Sequence, residues 1–211
     1  MKTFEGYYLK KDYPNALLIL EKNQEALERG LWHYNLGTVY GEMKNWPMAR
    51  FHFILAEANG FDSKELQQNQ QLSEEALDIS RLEKPLDTSD YLIKASLVAS
   101  EGLLVTLSLI FLVAGLWFLK QKTTAKRALI FVLVVVSPLI LDAWIDSWPK
   151  KIVTASKPLF EGPSALFAAR GELPAGLMVL TNVKGEWEEV IYPARFSGWV
   201  KADRMKRLEH K

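Results

Sequence analysis

Two long apolar runs in the middle of the chain dominate the pattern of hydrophobic and polar positions. Gly102 to Leu119 reads GLLVTLSLIFLVAGLWFL and Ala128 to Leu141 reads ALIFVLVVVSPLIL, with no charged residue in either run. Because about 20 apolar residues of helix cross a bilayer core, we extend both runs and predict transmembrane helices over 91–119 and 128–149. A buried helical hairpin of a soluble domain is the alternative interpretation.

A basic segment separates the two runs. It reads KQKTTAKR over 120–127 and contains four positively charged residues. Short loops rich in Lys and Arg stay on the cytoplasmic side of a membrane. The segment is therefore predicted to be a cytoplasmic loop, which places both termini of the chain outside the cytoplasm.

Upstream of the apolar runs, residues 1–62 have the spacing of packed helices. Gly37 and Tyr40 share one face of a first helix, and Ala49 and Phe53 share one face of a second helix after a short turn. The small residue Gly37 allows a close approach of the second helix, and the large side chains fill the space around it. The pattern predicts a helical hairpin.

The phrases KDYP and KNWP, 33 residues apart, indicate that this hairpin is repeated. Asp12 and Asn45 are predicted N-caps, and Pro14 and Pro47 fall in the first helical turn, where a missing N–H costs little. The first copy lacks most of its first helix. Either the true coding start lies upstream with a signal peptide, or the short stack is closed by a capping helix and linker over 63–90.

The unit containing NLGTVY and ARFHFILA resembles the tetratricopeptide repeat (TPR), a helical hairpin of about 34 residues. That resemblance implies partner binding by the inner face of the first helices. In this chain the corresponding residues are Tyr34, Asn35, Thr38 and Glu42. The alternative interpretation is that they are ordinary exposed helix residues.

After Lys151 the chain changes to short β-type runs separated by Gly and Pro, which predicts a small barrel over 150–211. The elements EGPS, LPAG, GEWEEV and SGWVKADRMKRL resemble the bacterial SH3 domain. The resemblance makes Trp187, Tyr192 and Trp199 candidates for a ligand groove. Alternatively, the two tryptophans belong mostly to the core.

Composition narrows the chemistry further. The absence of cysteine excludes disulfides, thiolate metal sites and thiol nucleophiles. The three histidines show no HExxH or paired spacing, and no catalytic triad or phosphate loop is visible, so no catalytic residue, metal or cofactor is predicted.

Residues 1–90 hold 10 Lys and Arg against 15 Asp and Glu, a balance of −5, whereas 150–211 hold 11 against 7, a balance of +4.

The predicted fold class is therefore a multidomain membrane protein with a TPR-like α-helical N-terminal segment, a two-helix transmembrane hairpin and an all-β SH3-like barrel. This domain order resembles BatE-type proteins of bacterial aerotolerance operons. The resemblance implies a bacterial inner-membrane location, multi-pass, with both termini periplasmic. A signal sequence usually opens members of that family, whereas none opens this sequence at Met1.

The function expected from this architecture is a non-enzymatic, membrane-anchored adaptor that serves aerotolerance or envelope stress. The family resemblance implies von Willebrand A-domain Bat proteins and a MoxR-type ATPase as protein partners, and no nucleic acid. The alternative is a peptidoglycan-tethering module that binds wall polymer through the SH3-like domain.

Overall fold

The computed structural model describes residues 4–98, 101–119 and 125–208, and the chain divides into two compact units. Unit 1 combines Met1–Lys84 with Pro149–Lys211, and unit 2 is Pro85–Trp148. The first and last parts of the chain therefore fold together, although 64 residues of sequence separate them.

Three helical hairpins in series form the first half of unit 1. Each hairpin turns at a residue with positive φ, namely Lys11 at 59°, Lys44 at 58° and Asp78 at 54°. These residues lie 33 and 34 positions apart, so the repeat continues into the segment predicted as a capping helix. The helices are α1 (Phe4–Leu9), α2 (Tyr13–Lys22), α3 (Arg29–Glu42), α4 (Trp46–Ala58), α5 (Lys64–Ala76) and α6 (Ile79–Leu82).

Side-chain caps mark the starts of two of these helices, α4 and α5. The Asn45 side chain accepts a hydrogen bond from the backbone N–H of Met48 at 3.4 Å, which confirms the predicted N-cap of α4. Ser63 caps α5 in the same way. Asp12 occupies the N-cap position of α2 but makes no capping bond, because its carboxylate accepts from the Asn15 side-chain amide at 2.8 Å.

Gly37 allows α3 and α4 to pack closely, as predicted. A Cβ atom at this position would lie 2.5 Å from Cδ1 of Phe53, which is far inside van der Waals contact. Phe53 is 2% exposed and shares its cluster with Ala49, Ala56 and Leu66. The missing side chain on α3 thus creates the space that the aromatic ring of α4 fills.

The second half of unit 1 is a seven-stranded antiparallel sheet in the order β3-β2-β6-β5-β4-β1-β7. Alternate residues of its central strands point into a buried cluster that includes Val179, Val190 and Val200. The strands are β1 (Lys150–Val153), β2 (Lys157–Phe160), β3 (Ala169–Leu173), β4 (Met178–Lys184), β5 (Trp187–Tyr192), β6 (Gly198–Lys201) and β7 (Met205–Arg207).

Helix α4 joins the two halves of unit 1, because it is apolar on two faces. One face packs on α3 and α5, and the other places Met48, Phe51 and Leu55 against Ile152 and Leu208 of the sheet half. A helix that is apolar almost all round is buried on all sides. The helices and the sheet therefore share one core in unit 1.

Unit 2 contains three helices, α7 (Thr88–Val98), α8 (Glu101–Leu119) and α9 (Ala125–Asp146), among the residues described. The stretch Leu129–Asp146 of α9 is the one straight helix there that is long and apolar enough to cross a membrane, and nearly all of it is exposed. A second candidate is a pair of helical stretches that meet at 112°, Thr88–Leu97 and Gly102–Ala114. They form a second membrane span only if the two stretches together make one broken helix.

The predicted fold class is wrong in two respects. The N-terminal helices and the C-terminal strands form one mixed α/β unit instead of separate α-helical and all-β domains. The two-helix transmembrane hairpin also fails, because α7 does not extend α8 in a straight line. Residues 120–124 of the predicted basic loop lie outside the described residues.

Candidate partner-binding cavity and aromatic face

A cavity of about 240 Å³ opens between α3, α4 and α5 in unit 1. Its apolar wall comes from Trp46, Phe53 and the 54% exposed Leu72. Polar side chains stand on either side of this wall. The full lining is Thr38, Gly41, Glu42, Lys44, Trp46, Phe53, Asn69 and Leu72.

Two phenols hold the Glu42 carboxylate at this cavity. Tyr13 donates its hydroxyl to one carboxylate oxygen at 3.0 Å, and Tyr8 donates to the other at 3.4 Å. Burial raises the pKa of Tyr8, and the neighbouring Glu42 charge raises it further. Both phenols therefore remain neutral donors at neutral pH, and α1 and α2 fix the acidic side of the cavity.

Two of the four residues predicted for the TPR-like inner face line the cavity, and two do not. Thr38 and Glu42 are lining residues. Tyr34 instead stacks on Phe61, with ring centroids 4.8 Å apart, and Asn35 is half-buried on α3 away from the lining. The hydroxyl of Thr38 donates to the Tyr34 carbonyl at 2.9 Å, which leaves its oxygen free to accept.

Sequence reasoning missed Lys44, Trp46, Asn69 and Leu72 as parts of the cavity. Asn69 and Leu72 lie on α5, which the pattern predicted as a closing helix. The positive φ shared by Lys11, Lys44 and Asp78 shows that α5 occupies the place of a first helix in a third hairpin. No counterpart of KDYP or KNWP marks that hairpin, so the sequence carries little signal for it.

Three aromatic side chains form a second surface, on the outer face of the sheet. Phe160 of β2 pairs with Trp199 of β6, and the Phe160 ring meets Trp187 of β5 edge-on at 5.5 Å. All three are half-buried. The ammonium of Lys184 lies 4.9 Å from the centre of the Trp199 ring and 3.3 Å from the Glu189 carboxylate, which gives this aromatic face a charged rim.

Tyr192, the third predicted groove residue, does not belong to that surface. It is 1% exposed and points into unit 1 on the same side of β5 as Glu188 and Val190. The strand alternates with a period of two, so Trp187 and Tyr192 face opposite ways. The prediction of Tyr192 as a surface ligand group is therefore wrong, whereas Trp187 and Trp199 do lie on one face.

A buried histidine pair lies in the helical half, away from the cavity. Nδ1 of His33 and Nδ1 of His52 are 3.0 Å apart, and the Tyr40 ring stacks on His52 with centroids 5.4 Å apart. Burial lowers the pKa of His33 to about 4 and that of His52 to about 3. Both rings are therefore neutral at pH 7, and one donates to the other.

The sheet half also buries charged groups. The Lys151 ammonium lies 2.5 Å from the Glu188 carboxylate, which is 2% exposed as a residue. Lys157, 4% exposed, donates to the backbone carbonyls of Lys201 and Asp203, and burial lowers its pKa. These contacts join β1 to β5, and they join β2 to the end of its neighbour β6 and the turn that follows it.

No group of three or more His, Asp or Glu side chains within 4–98, 101–119 and 125–208 is placed to hold a metal ion. Comparison of the chain with protein-family models, curated protein sequences and solved structures finds no significant match. The geometry of the cavity and of the aromatic face therefore carries the functional interpretation.

Proposed function

We propose that the protein is a non-enzymatic adaptor that is held at a membrane by unit 2 and binds a segment of a partner protein in the cavity of unit 1. The observation that carries this proposal is the cavity itself. It exposes Leu72 beside the Trp46 ring, and it places Glu42 and Lys44 at its margins. Concave apolar sites with a few placed polar groups are the usual form of a binding site.

The size of the cavity favours a side chain over a whole ligand. A volume of about 240 Å³ is below the range of roughly 300–1,000 Å³ found for small-molecule sites. A partner segment that inserts one large apolar side chain and contacts the charged margin fits this space. The acidic balance of −5 over residues 1–90 favours partner segments with basic residues beside that side chain.

Unit 2 supplies the attachment to the membrane. Its described helices expose large apolar side chains along their length, including Val113, Leu129 and Ile140 at 68%, 62% and 56%. Soluble proteins rarely expose so large an apolar surface without a partner or lipid to cover it. We therefore propose that α9 lies in a bilayer, and the resemblance of the domain order to BatE-type proteins favours a bacterial inner membrane.

Contacts within unit 1 indicate that its helical half and its sheet half lie on the same side of the membrane. Arg50 of α4 binds Glu83 and also donates to the Gly176 carbonyl at 2.6 Å, so residues before and after unit 2 share one buried network. A membrane cannot pass between groups in direct contact. The two halves of unit 1 must therefore lie on one side of the membrane. We propose the periplasmic side, because the basic segment 120–127 at the start of α9 favours the cytoplasmic side.

Cross-linking in intact membranes tests the adaptor. The full chain is cross-linked, captured and analysed by mass spectrometry as the wild type and as Leu72→Asp. Leu18→Asp is the matched control, because Leu18 is 46% exposed on α2 and does not line the cavity. We expect a membrane-protein partner that Leu72→Asp loses and Leu18→Asp retains, and membrane-anchored von Willebrand A-domain proteins are the first candidates.

Equal capture by the wild type and Leu72→Asp would refute binding in the cavity. A wild-type chain that captures no protein after cross-linking would refute the adaptor function as a whole.

A second candidate function is tethering to peptidoglycan, which the aromatic face favours. Half-buried Phe160, Trp187 and Trp199 form an apolar aromatic surface of the kind that packs on sugar rings or peptide stems. Co-sedimentation of the full chain in detergent with purified wall material tests it. Loss of sedimentation in Trp187→Ala/Trp199→Ala would support tethering, and absence of wild-type sedimentation would exclude it.

A further inference from the structure

The fold brings together basic residues from two distant parts of the sequence at one edge of the sheet. Strand β1 begins at Lys150, and β7 pairs with it so that Lys151 lies opposite Arg207 and Ile152 lies opposite Lys206. These strands are the last two in the sheet order. We call Lys150, Lys151, Lys206 and Arg207 the basic edge.

The two cations that β7 contributes are directed outward. Lys206 and Arg207 are exposed, and the Lys206 ammonium lies 5.4 Å from the centre of the Phe51 ring. Lys150 and Lys151 are half-buried, and the Lys151 ammonium is bound by the buried Glu188 carboxylate at 2.5 Å. Lys206 and Arg207 therefore carry the positive charge that the edge presents to solvent.

The start of this edge follows the end of unit 2 closely in the sequence. Trp148 is the last residue of unit 2, and Lys150 follows two positions later. Two extended residues span about 7 Å, which is shorter than the Debye length of about 8 Å at physiological salt. Whatever surface surrounds Trp148 is therefore within electrostatic reach of Lys150.

The residues just before the edge have the character of a membrane interface. Trp144 and Trp148 contact each other edge-on, with ring centroids 4.4 Å apart, at the end of the apolar helix α9. Tryptophan is enriched where lipid tails meet the headgroups. If α9 lies in a bilayer, Trp148 reaches the headgroup level and Lys150 lies just outside it.

We propose that the basic edge binds the headgroups of anionic lipids and so holds unit 1 against the membrane surface. The inference rests on the membrane placement of unit 2 in the proposed function. Clusters of Lys and Arg directly beside a membrane helix attract anionic lipids, and the attraction falls off within a Debye length. Strand pairing with β7 adds two cations from about 55 residues further along the chain to those at β1.

The test uses the full chain with a single cysteine, Ala202→Cys, in the exposed turn before β7, in a background that has no other cysteine. A fluorophore on this cysteine is quenched by lipids that carry a nitroxide on the headgroup. The protein is reconstituted in phosphatidylcholine vesicles and in vesicles that also contain phosphatidylglycerol. We expect at least about twofold stronger quenching in the anionic vesicles, and loss of that difference at about 0.5 M salt.

Charge variants assign the effect to the edge. Lys206→Glu/Arg207→Glu is expected to abolish the difference between the two vesicle types. Lys22→Glu/Lys64→Glu, which changes the same net charge at exposed helical positions, is expected to keep it. Lys206→Arg/Arg207→Lys retains both charges, so it must also retain the difference in quenching between the two vesicle types. Loss of that difference in this variant would indicate misfolding instead of loss of charge.

The possible failures are distinguishable. If the chain does not float with vesicles of either composition, the membrane placement in the proposed function is wrong. If it floats with both and is quenched equally, the lipid-binding edge is wrong. If the Glu variants leave the quenching unchanged but lose a cross-linked protein partner, the edge binds protein and the lipid proposal is also overturned.

Discussion

Arg50 and Glu83 form a buried ion pair, with Nη1 of the arginine 2.8 Å from Oε1 of the glutamate, at the point where the helices meet the sheet. The Arg50 guanidinium also donates to the Gly176 carbonyl, and the Glu83 carboxylate accepts from the Met178 backbone N–H at 2.9 Å. Residues from α4, from the end of α6 and from the start of β4 are thus joined by one charge network. Both side chains are more than nine-tenths buried.

Removing either partner of this pair should strongly destabilise unit 1. Arg50→Ala leaves the buried Glu83 carboxylate without its counter-ion, which costs about 3–5 kcal/mol. Glu83→Ala should cost less, because the Arg50 guanidinium keeps the half-exposed Glu74 carboxylate at 3.6 Å. The double variant should lose less than the sum of the two, because it leaves no isolated charge. Urea denaturation of the full chain in detergent, followed by tryptophan fluorescence, measures these free energies of unfolding.

The exposed ion pair between Arg81 and Asp78 is the control for that measurement. Its side chains are 71% and 52% exposed. Exposed pairs contribute at most about 1 kcal/mol. If substituting Arg81 destabilised the chain as much as substituting Arg50, the account of the buried network would be wrong.

Gly37→Ala should destabilise the helical half by about 1–3 kcal/mol, because the added methyl group overlaps the Phe53 ring. Gly41→Ala, one turn later on the same helix, is the matched control. A Cβ there would meet Trp46 at an ordinary 3.6 Å, so better helix propensity should leave stability unchanged or raise it by up to about 1 kcal/mol. Urea midpoints compare the two variants, and equal effects would contradict the close packing of α3 on α4.

Lys11→Gly and Lys44→Gly should each stabilise the chain by roughly 0.5–1 kcal/mol. Both lysines have a left-handed backbone, at φ 59° and 58°, which costs a residue with a Cβ about 1–2 kcal/mol. Glycine relieves this cost but loses more entropy on folding. Lys22→Gly, at a helical position in α2, should instead destabilise by up to about 1 kcal/mol, and thermal unfolding should rank the three variants accordingly.

Stability should fall as the pH drops below about 6.5, because of the His33–His52 pair. The unfolded histidines take up protons near pH 6.5, whereas the folded ones do so only near pKa 4 and 3. Between these values the unfolded chain binds more protons, so acid favours unfolding. Each histidine accounts for about 2 kcal/mol lost between pH 7 and pH 5.

His52→Phe is the variant that tests this pH dependence, since a phenyl ring can take the place of the imidazole against Tyr40. Urea midpoints at pH 7 and pH 5 should differ less in the variant than in the wild type. A pH dependence that is unchanged by the substitution would show that other groups cause it.

Local features of unit 1 were predictable from sequence, because their causes lie within a few residues. Asn45 and Pro47 indicate the start of α4, and the spacing of Gly37 and Phe53 indicates their contact. The union of helices and sheet was not predictable in this way. It depends on Phe51 and Ile152 meeting across a sequence separation of about 100 residues, and the only local hint was the nearly uniform apolar character of α4.

The candidate site shows the same division. The TPR-like pattern of α3 predicted Thr38 and Glu42 as binding residues. Leu72 belongs to a third hairpin, which has no counterpart of the phrases KDYP and KNWP, so it was not predicted. In β5 the charged residue Glu188 occupies an inward position, so the strand does not show a simple alternation of apolar and polar residues. The buried Glu188 carboxylate is bound by Lys151 from β1, and Tyr192, four residues further along β5, lies on the same buried side.

Labelling from one side of the membrane tests the central claim, that the two halves of unit 1 fold together beside a membrane. Glu25→Cys lies in the helical half and Asn182→Cys in the sheet half, both at exposed positions in a chain without native cysteine. A membrane-impermeant maleimide is applied to membrane vesicles of known orientation. Both cysteines are expected to react from the same side, which we assign to the periplasm. Reaction of the two cysteines from opposite sides would show that the two halves do not fold together beside a membrane.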